Sequence, residues 1–215
     1  VLKKYEVLQE IKSSKIVAVI RGRSAEEACE ISRACIRGGI KAIEVTFTTP
    51  NSLRVLQKLS NEDVHALIGA GTVLDAETAR LAIMNGAAFV VSPNFSKEIC
   101  ETCNLYSVPY LPGCFTITEM VSALRAGADV IKVFPGSVAG PDYIKSVKGP
   151  LPNINLMPTG GVGLDNVVRW LDEGSFAVGV GSVLTKAMNG EDYKVVEENA
   201  RKFVEKVSVL SGSAV

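Results

Sequence analysis

The most constraining feature of this chain is a recurrence. Short runs rich in β-branched residues occupy positions 16–20, 42–47, 66–69, 88–91, 109–111, 130–134, 155–157 and 177–180. Their ends, counted at Arg21, Glu44, Gly69, Ser92, Pro112, Lys132, Thr159 and Gly181, fall about 20 to 27 residues apart. Helical patterns fill intervals at 24–37, 75–85, 96–106, 116–126 and 165–172, with a long one at 192–210. A short stretch at 142–147 fills the gap between the sixth and seventh strands. Ser24-Ala25-Glu26-Glu27 reads as a capping-box start, and Gly38, Gly86, Gly127 and Gly174 stand where helices stop. Parallel strands need crossovers of this length, and eight such units in 215 residues predict a single-domain (β/α)8 TIM barrel. The expected domain is 1–215, with 1–14 an N-terminal helix. A doubly wound open sheet is the competitor. Against it, Gly161-Val162-Gly163 and Gly179-Val180-Gly181 both lack the third glycine of a dinucleotide fingerprint, and no P-loop is present.

Composition removes several functions. Twenty-three Lys+Arg balance 23 Asp+Glu, leaving no basic field for nucleic acid or an anionic membrane. The apolar runs are well short of the ~18 residues a spanning helix needs. The first residues lack the apolar segment of a signal peptide, so a cytoplasmic location is expected. The single histidine, His65, precedes the third strand and belongs to the N-terminal rim, so it is assigned no chemistry. Two-histidine zinc motifs are impossible. Five cysteines, Cys29, Cys35, Cys100, Cys103 and Cys114, are expected as reduced structural thiols. Cys100 and Cys103 have C-x-x-C spacing but no second pair to complete a metal site, so neither metal nor cofactor is expected.

Both faces of a strand in a parallel barrel are buried, which makes charge there costly. Lys132 and Glu44 break that rule, each toward the strand end where such barrels assemble their sites. One reading is a structural ion pair. The other is a nucleophilic amine with a carboxylate proton partner, since burial favours a neutral amine and a nearby carboxylate opposes that. Arg21, ending the first strand, suits a carboxylate or phosphate through its forked donors. The turns Pro158-Thr159-Gly160-Gly161 and Gly179-Val180-Gly181-Ser182 follow strands seven and eight, where this fold most often holds phosphate with backbone N–H groups. With Ser182 added, no basic side chain is required there.

Several segments carry a resemblance: Ile43-Glu44-Val45-Thr46-Phe47, Gly69-Ala70-Gly71-Thr72-Val73, Val91-Ser92-Pro93, Leu111-Pro112-Gly113, Ile131-Lys132-Val133-Phe134-Pro135 and Pro158-Thr159-Gly160-Gly161-Val162. In this order and spacing the chain resembles the 2-keto-3-deoxy-6-phosphogluconate (KDPG) and 4-hydroxy-2-oxoglutarate (KHG) aldolases, from about Lys15 to the last helix. The resemblance implies a metal-free class I aldolase on a (β/α)8 barrel, commonly a homotrimer, acting on a small 2-oxoacid. It places the Schiff-base lysine at Lys132 and the general acid/base at Glu44. It places phosphate and C4 contacts at Thr159, Gly160, Gly161, Gly181 and Ser182, and a pyruvate contact at Thr72. Where many members carry Leu-Arg-Thr, this chain has Phe47-Thr48-Thr49. Thr48 therefore stands in the place of a carboxylate-holding arginine, with Arg21 as the substitute anchor. Two rival functions share the residue pattern: a phosphosugar isomerase or epimerase, and a non-catalytic phosphosugar-binding protein.

Overall fold

The computed structural model describes residues 2–209. Helix α1 (Lys3–Ser14) leads into β1 (Ile16–Ile20), α2 (Ala25–Arg37), β2 (Ala42–Thr46), α3 (Ser52–Ser60), β3 (Leu67–Gly71), α4 (Ala76–Met84), β4 (Val90–Val91) and α5 (Lys97–Leu105). The chain continues through β5 (Tyr110–Leu111), β6 (Gly113–Cys114), α6 (Ile117–Arg125), β7 (Ile131–Val133), α7 (Gly136–Ala139) and α8 (Asp142–Lys148). It ends with β8 (Leu156–Pro158), α9 (Val167–Asp172), β9 (Val178–Val180) and α10 (Tyr193–Ser208). Each expected strand is present to within about two residues. The last helix stops at Ser208, and Leu210 lies outside the described residues.

Local chemistry sets the helix ends, with two corrections. Ser24 accepts the Glu27 N–H as a cap should, but the Glu27 carboxylate reaches the Arg23 N–H at 2.5 Å and the Arg23 guanidinium. The reciprocal capping box is instead at Thr116 and Glu119. Gly38 is the C-cap with φ −72°, and its neighbour Gly39 takes the left-handed position at φ +98°.

The strands form a six-stranded parallel sheet, β5-β4-β3-β2-β1-β9, and a three-stranded one, β6-β7-β8. The expected ring of eight strands is thus divided between two sheets, and one of the two seams falls where the fifth strand splits at Pro112. Proline has no N–H for the ladder. β5 pairs with β4 through Val90↔Tyr110 and Val91↔Leu111, and β6 pairs with β7 through Gly113↔Lys132. At the other seam, the Phe176 N–H donates to the Leu156 carbonyl at 2.8 Å, and a lone bridge joins Thr159 to Gly179.

Side chains alternate along each strand between two cores. Ile16, Ala18 and Ile20 of β1, Ile43 and Val45 of β2, and Ile131 and Val133 of β7 pack with the outer helices. Val17, Ala42, Phe89, Val91, Val130 and Met157 join a second, inner cluster together with Val7, Leu8 and Ile11 of α1. Each such large side chain contributes about 1.5–3 kcal/mol by leaving water. Helix α1 thus seals the N-terminal end of the strands. His65, two residues before β3, lies beside Glu10 and Lys41 at that sealed end. Glu44, Lys132 and Thr159 each sit two positions beyond an inner-cluster residue, so they share its face nearer the open end.

Candidate active site

Lys132 is 5% exposed and Glu44 fully buried at 0%. The Lys132 Nζ stands 3.7 Å from Glu44 Oε1, an ion-pair distance that is long for a hydrogen bond. Both Glu44 oxygens are buried without a hydrogen-bond partner among the described residues. Leaving a buried carboxylate so poorly satisfied is costly, and such groups concentrate where a fold serves chemistry rather than stability. Nζ also lies 5.1 Å from the centroid of the Phe134 ring, within cation–π reach. Space for the carboxylate comes from β3: a Cβ on Gly71 would sit 2.6 Å from Glu44 Cδ.

Thr72 follows Gly71 directly and adopts φ +57°. For a β-branched residue this backbone is strained, typically by about 1–3 kcal/mol, and such strain clusters at functional sites. Its neighbour is held on both sides, the Val73 N–H donating to Val91 O and the Val73 carbonyl accepting from the buried Ser92 hydroxyl at 2.7 Å. Arg21 Nε donates to Thr48 Oγ1 at 2.9 Å, so the arginine and the threonine of the departing triplet are partners. Both line a cavity of about 570 Å³ together with Gly181 and Ser182.

A neighbouring cavity of about 740 Å³ collects Thr159, Gly160, Gly161, Gly181 and Ser182, the five residues assigned to phosphate and C4. Gly160 and Gly161 have φ of +92° and +74°, which lets the turn after β8 present its backbone to the cavity. Asn166 fixes that turn, donating to the Gly161 carbonyl and accepting from the Gly163 N–H, each at 2.9 Å. Thr159 Oγ1 is buried with no partner among the described residues. Val19, Gly181 and Ser182 line both cavities, joining the Arg21 side to the glycine-rich side. The Thr72 side chain makes no hydrogen bond to the other site residues among those described.

Sequence reasoning missed Lys186, which supplies the one basic side chain among the described residues lining the larger cavity. The available signal was its place four residues after Ser182, in the turn following β9. Cys100 and Cys103 are buried, and burial pushes the Cys103 thiol up to about 12. Among the described residues, no group of three or more His, Cys, Asp or Glu side chains could hold a metal ion. Nor is any helix among them long and apolar enough to cross a membrane.

Parallel strands whose C-terminal ends carry a buried lysine facing a carboxylate, with glycine turns able to cradle an anion at the same end, fit an α/β lyase. Within that class, the chain belongs to the KDPG and KHG aldolase family, whose model matches residues 7–199. It is 35% identical over 191 residues to a 2-dehydro-3-deoxy-6-phosphogalactonate aldolase of Escherichia coli, covering 88% of this chain and 92% of that one. It is also 35% identical to a 2-dehydro-3-deoxy-phosphogluconate aldolase of Pseudomonas aeruginosa, covering 91% and 90%. Among solved structures it superposes with TM-score 0.82 and 27% identity on a Legionella pneumophila KDPG aldolase, covering 91% of this chain and 96% of that one. That crystal structure holds pyruvate captured as a covalent carbinolamine.

Proposed function

We propose that this chain is a class I Schiff-base aldolase that cleaves 2-dehydro-3-deoxy-6-phosphogluconate to pyruvate and glyceraldehyde 3-phosphate. Cleavage of 4-hydroxy-2-oxoglutarate to pyruvate and glyoxylate is its second reaction. The observation that carries this reading is the buried Lys132–Glu44 pair, 3.7 Å apart with the carboxylate otherwise unsatisfied. The Lys132 amine adds to the C2 ketone, and Glu44 donates the proton with which the carbinolamine loses water. The iminium then draws in the electron pair of the C3–C4 bond, while Glu44 takes the C4 hydroxyl proton and releases the aldehyde. Protonation of the enamine at C3 and hydrolysis of the imine return pyruvate and the free lysine.

Arg21, seated by Thr48, and Thr72 hold the pyruvate carboxylate. Thr159, Gly160, Gly161, Gly181 and Ser182 receive the phosphate and C4 region, supported by their shared cavity. The two sheets are read as one closed (β/α)8 barrel spanning a single domain of residues 1–215, supported by the Thr159–Gly179 bridge. Family resemblance favours a homotrimer. A cytoplasmic location fits five buried, unpaired cysteines.

Pyruvate with borohydride tests the covalent step. One reduced adduct is expected on the Lys132 peptide, and Lys132→Ala should abolish both adduct and turnover. Glu44→Gln should lower turnover by about 10²–10⁴. A structural ion pair predicts lost stability with trapping unchanged, and an isomerase predicts no pyruvate release. Trapping at Lys145 or Lys148 would overturn the assignment. Comparing KDPG, its C4 epimer and KHG in a lactate dehydrogenase-coupled assay ranks the substrates.

A further inference from the structure

Three threonine hydroxyls converge on the end of β1. Thr46 Oγ1 donates to the Ile20 carbonyl at 2.9 Å, and the Gly22 N–H donates to Thr49 Oγ1 at 3.2 Å. Arg21, between them, gives its Nε–H to Thr48 Oγ1 at 2.9 Å. The hydroxyls are also joined to one another, with Thr48 donating to Thr46 Oγ1 at 3.1 Å and Thr49 Oγ1 lying 3.4 Å from it. One proton order satisfies the set: Thr48 and Thr49 donate to Thr46, and Thr46 donates to Ile20. Thr46 and Thr49 are buried at 1% and 3% exposure, so the inner part of the network is shielded from competing water, while Arg21 and Thr48 stand at the exposed rim. Gly22 packs closely against the start of α2, where a Cβ would lie 2.7 Å from the Ala28 nitrogen.

We infer that Thr46, Thr48 and Thr49 are positioning residues that preorient Arg21 toward the substrate carboxylate. The inference rests on the carboxylate-anchoring role proposed for Arg21. Engaging Nε leaves the two terminal nitrogens of the guanidinium for a carboxylate, the edge that pairs with two oxygens at once. Thr46 is the node, since the other two hydroxyls both end on it. On this view Thr48 acts through Arg21 rather than by touching substrate.

The test reads the pyruvate concentration that gives half-maximal borohydride trapping on Lys132. Arg21→Ala should raise it about 10- to 100-fold, the range for a charge-assisted hydrogen bond. Thr46→Val should raise it about three- to tenfold, with Thr46→Ser restoring the original value. In Arg21→Ala/Thr46→Val the second substitution should add nothing, because its effect passes through the arginine. Where Thr46→Val folds poorly, Thr48→Val at an exposed position gives the same comparison. An additive double mutant, or unchanged affinity in Thr46→Val and Thr48→Val while Arg21→Ala is impaired, would overturn the inference and leave the proposed function standing. Unchanged affinity in Arg21→Ala would overturn both the inference and the anchoring role.

Discussion

Gly71→Ala offers a direct probe of how finely the Glu44 carboxylate is placed. The new Cβ would stand 2.6 Å from Glu44 Cδ, whereas ordinary contacts begin near 3.4 Å. Glu44 Oε1 and Cγ would lie closer still, so the carboxyl group must retreat by at least about 0.8 Å. Misplacement of about 1 Å at a reacting group can cost around a hundredfold, which is about 2.7 kcal/mol in the barrier. We expect kcat in the coupled retro-aldol assay to fall by about that factor, with trapping slowed but still confined to Lys132. Gly69→Ala is the matched control, because its Cβ would meet the Phe89 ring at 2.5 Å, in the inner core. That substitution should lower Tm more than it lowers kcat in the protein that remains folded. If Gly71→Ala leaves kcat within about threefold, or if both substitutions lower kcat equally at matched stability, the placement argument is wrong.

Three further outcomes are expected. Lys186→Gln should raise KM for phosphorylated substrate more than for KHG and flatten its dependence on ionic strength, measured from low salt to about 0.15 M; equal losses on both substrates would mean that Lys186 does not see the phosphate. Hydrogen bonds hold the carboxyls of Glu27, Glu62 and Glu119 below their ordinary range, Glu27 and Glu62 through arginine and Glu119 through the Phe115 and Thr116 N–H groups. Their contribution is present above about pH 4.3, the unfolded value, and is lost as pH falls through the lower folded values, so denaturant titrations should show stability declining below about pH 4.3. Burial raises all five thiols, with Cys35, Cys103 and Cys114 pushed up to about 12, so the native chain should resist a disulfide reagent at pH 8 that labels it fully once unfolded.

The β/α period was legible because each strand announces itself by composition, and Lys132 and Glu44 because charge stands out in an apolar run. Their inner orientation also follows from parity, each being two residues past an apolar neighbour, Val130 and Ala42. The split of the fifth strand depends on which partner each half meets, and Pro112 alone does not specify that. The hydroxyl cluster was illegible for a different reason: Arg21 and Thr48 are 27 residues apart, and threonines at a strand end and in the turn beyond it are otherwise ordinary. The phosphate reading named the glycine turns from their place after strands seven and eight. It omitted Lys186, since an exposed lysine in a loop carries no local mark of the cavity it borders. Glu27 shows a related limit, where a cap pattern fixed the Ser24 arm while a nearby guanidinium took the other.

The seal that α1 makes has a consequence for traffic. Val7, Leu8 and Ile11 close the strands at one end, and strand register puts Lys132 beside Met157, two residues short of Thr159 and the glycine turn, with Glu44 beside Gly69. In the proposed reaction, molecules then come and go by the open end. In that reaction the fragment held by Lys132 lies deepest, and the phosphate-bearing aldehyde stands between it and the outside. Cleavage must discharge the aldehyde before pyruvate, and synthesis must admit pyruvate before the aldehyde. The kinetics of such a vessel are those of a stack, in which the last molecule to enter is the first to leave.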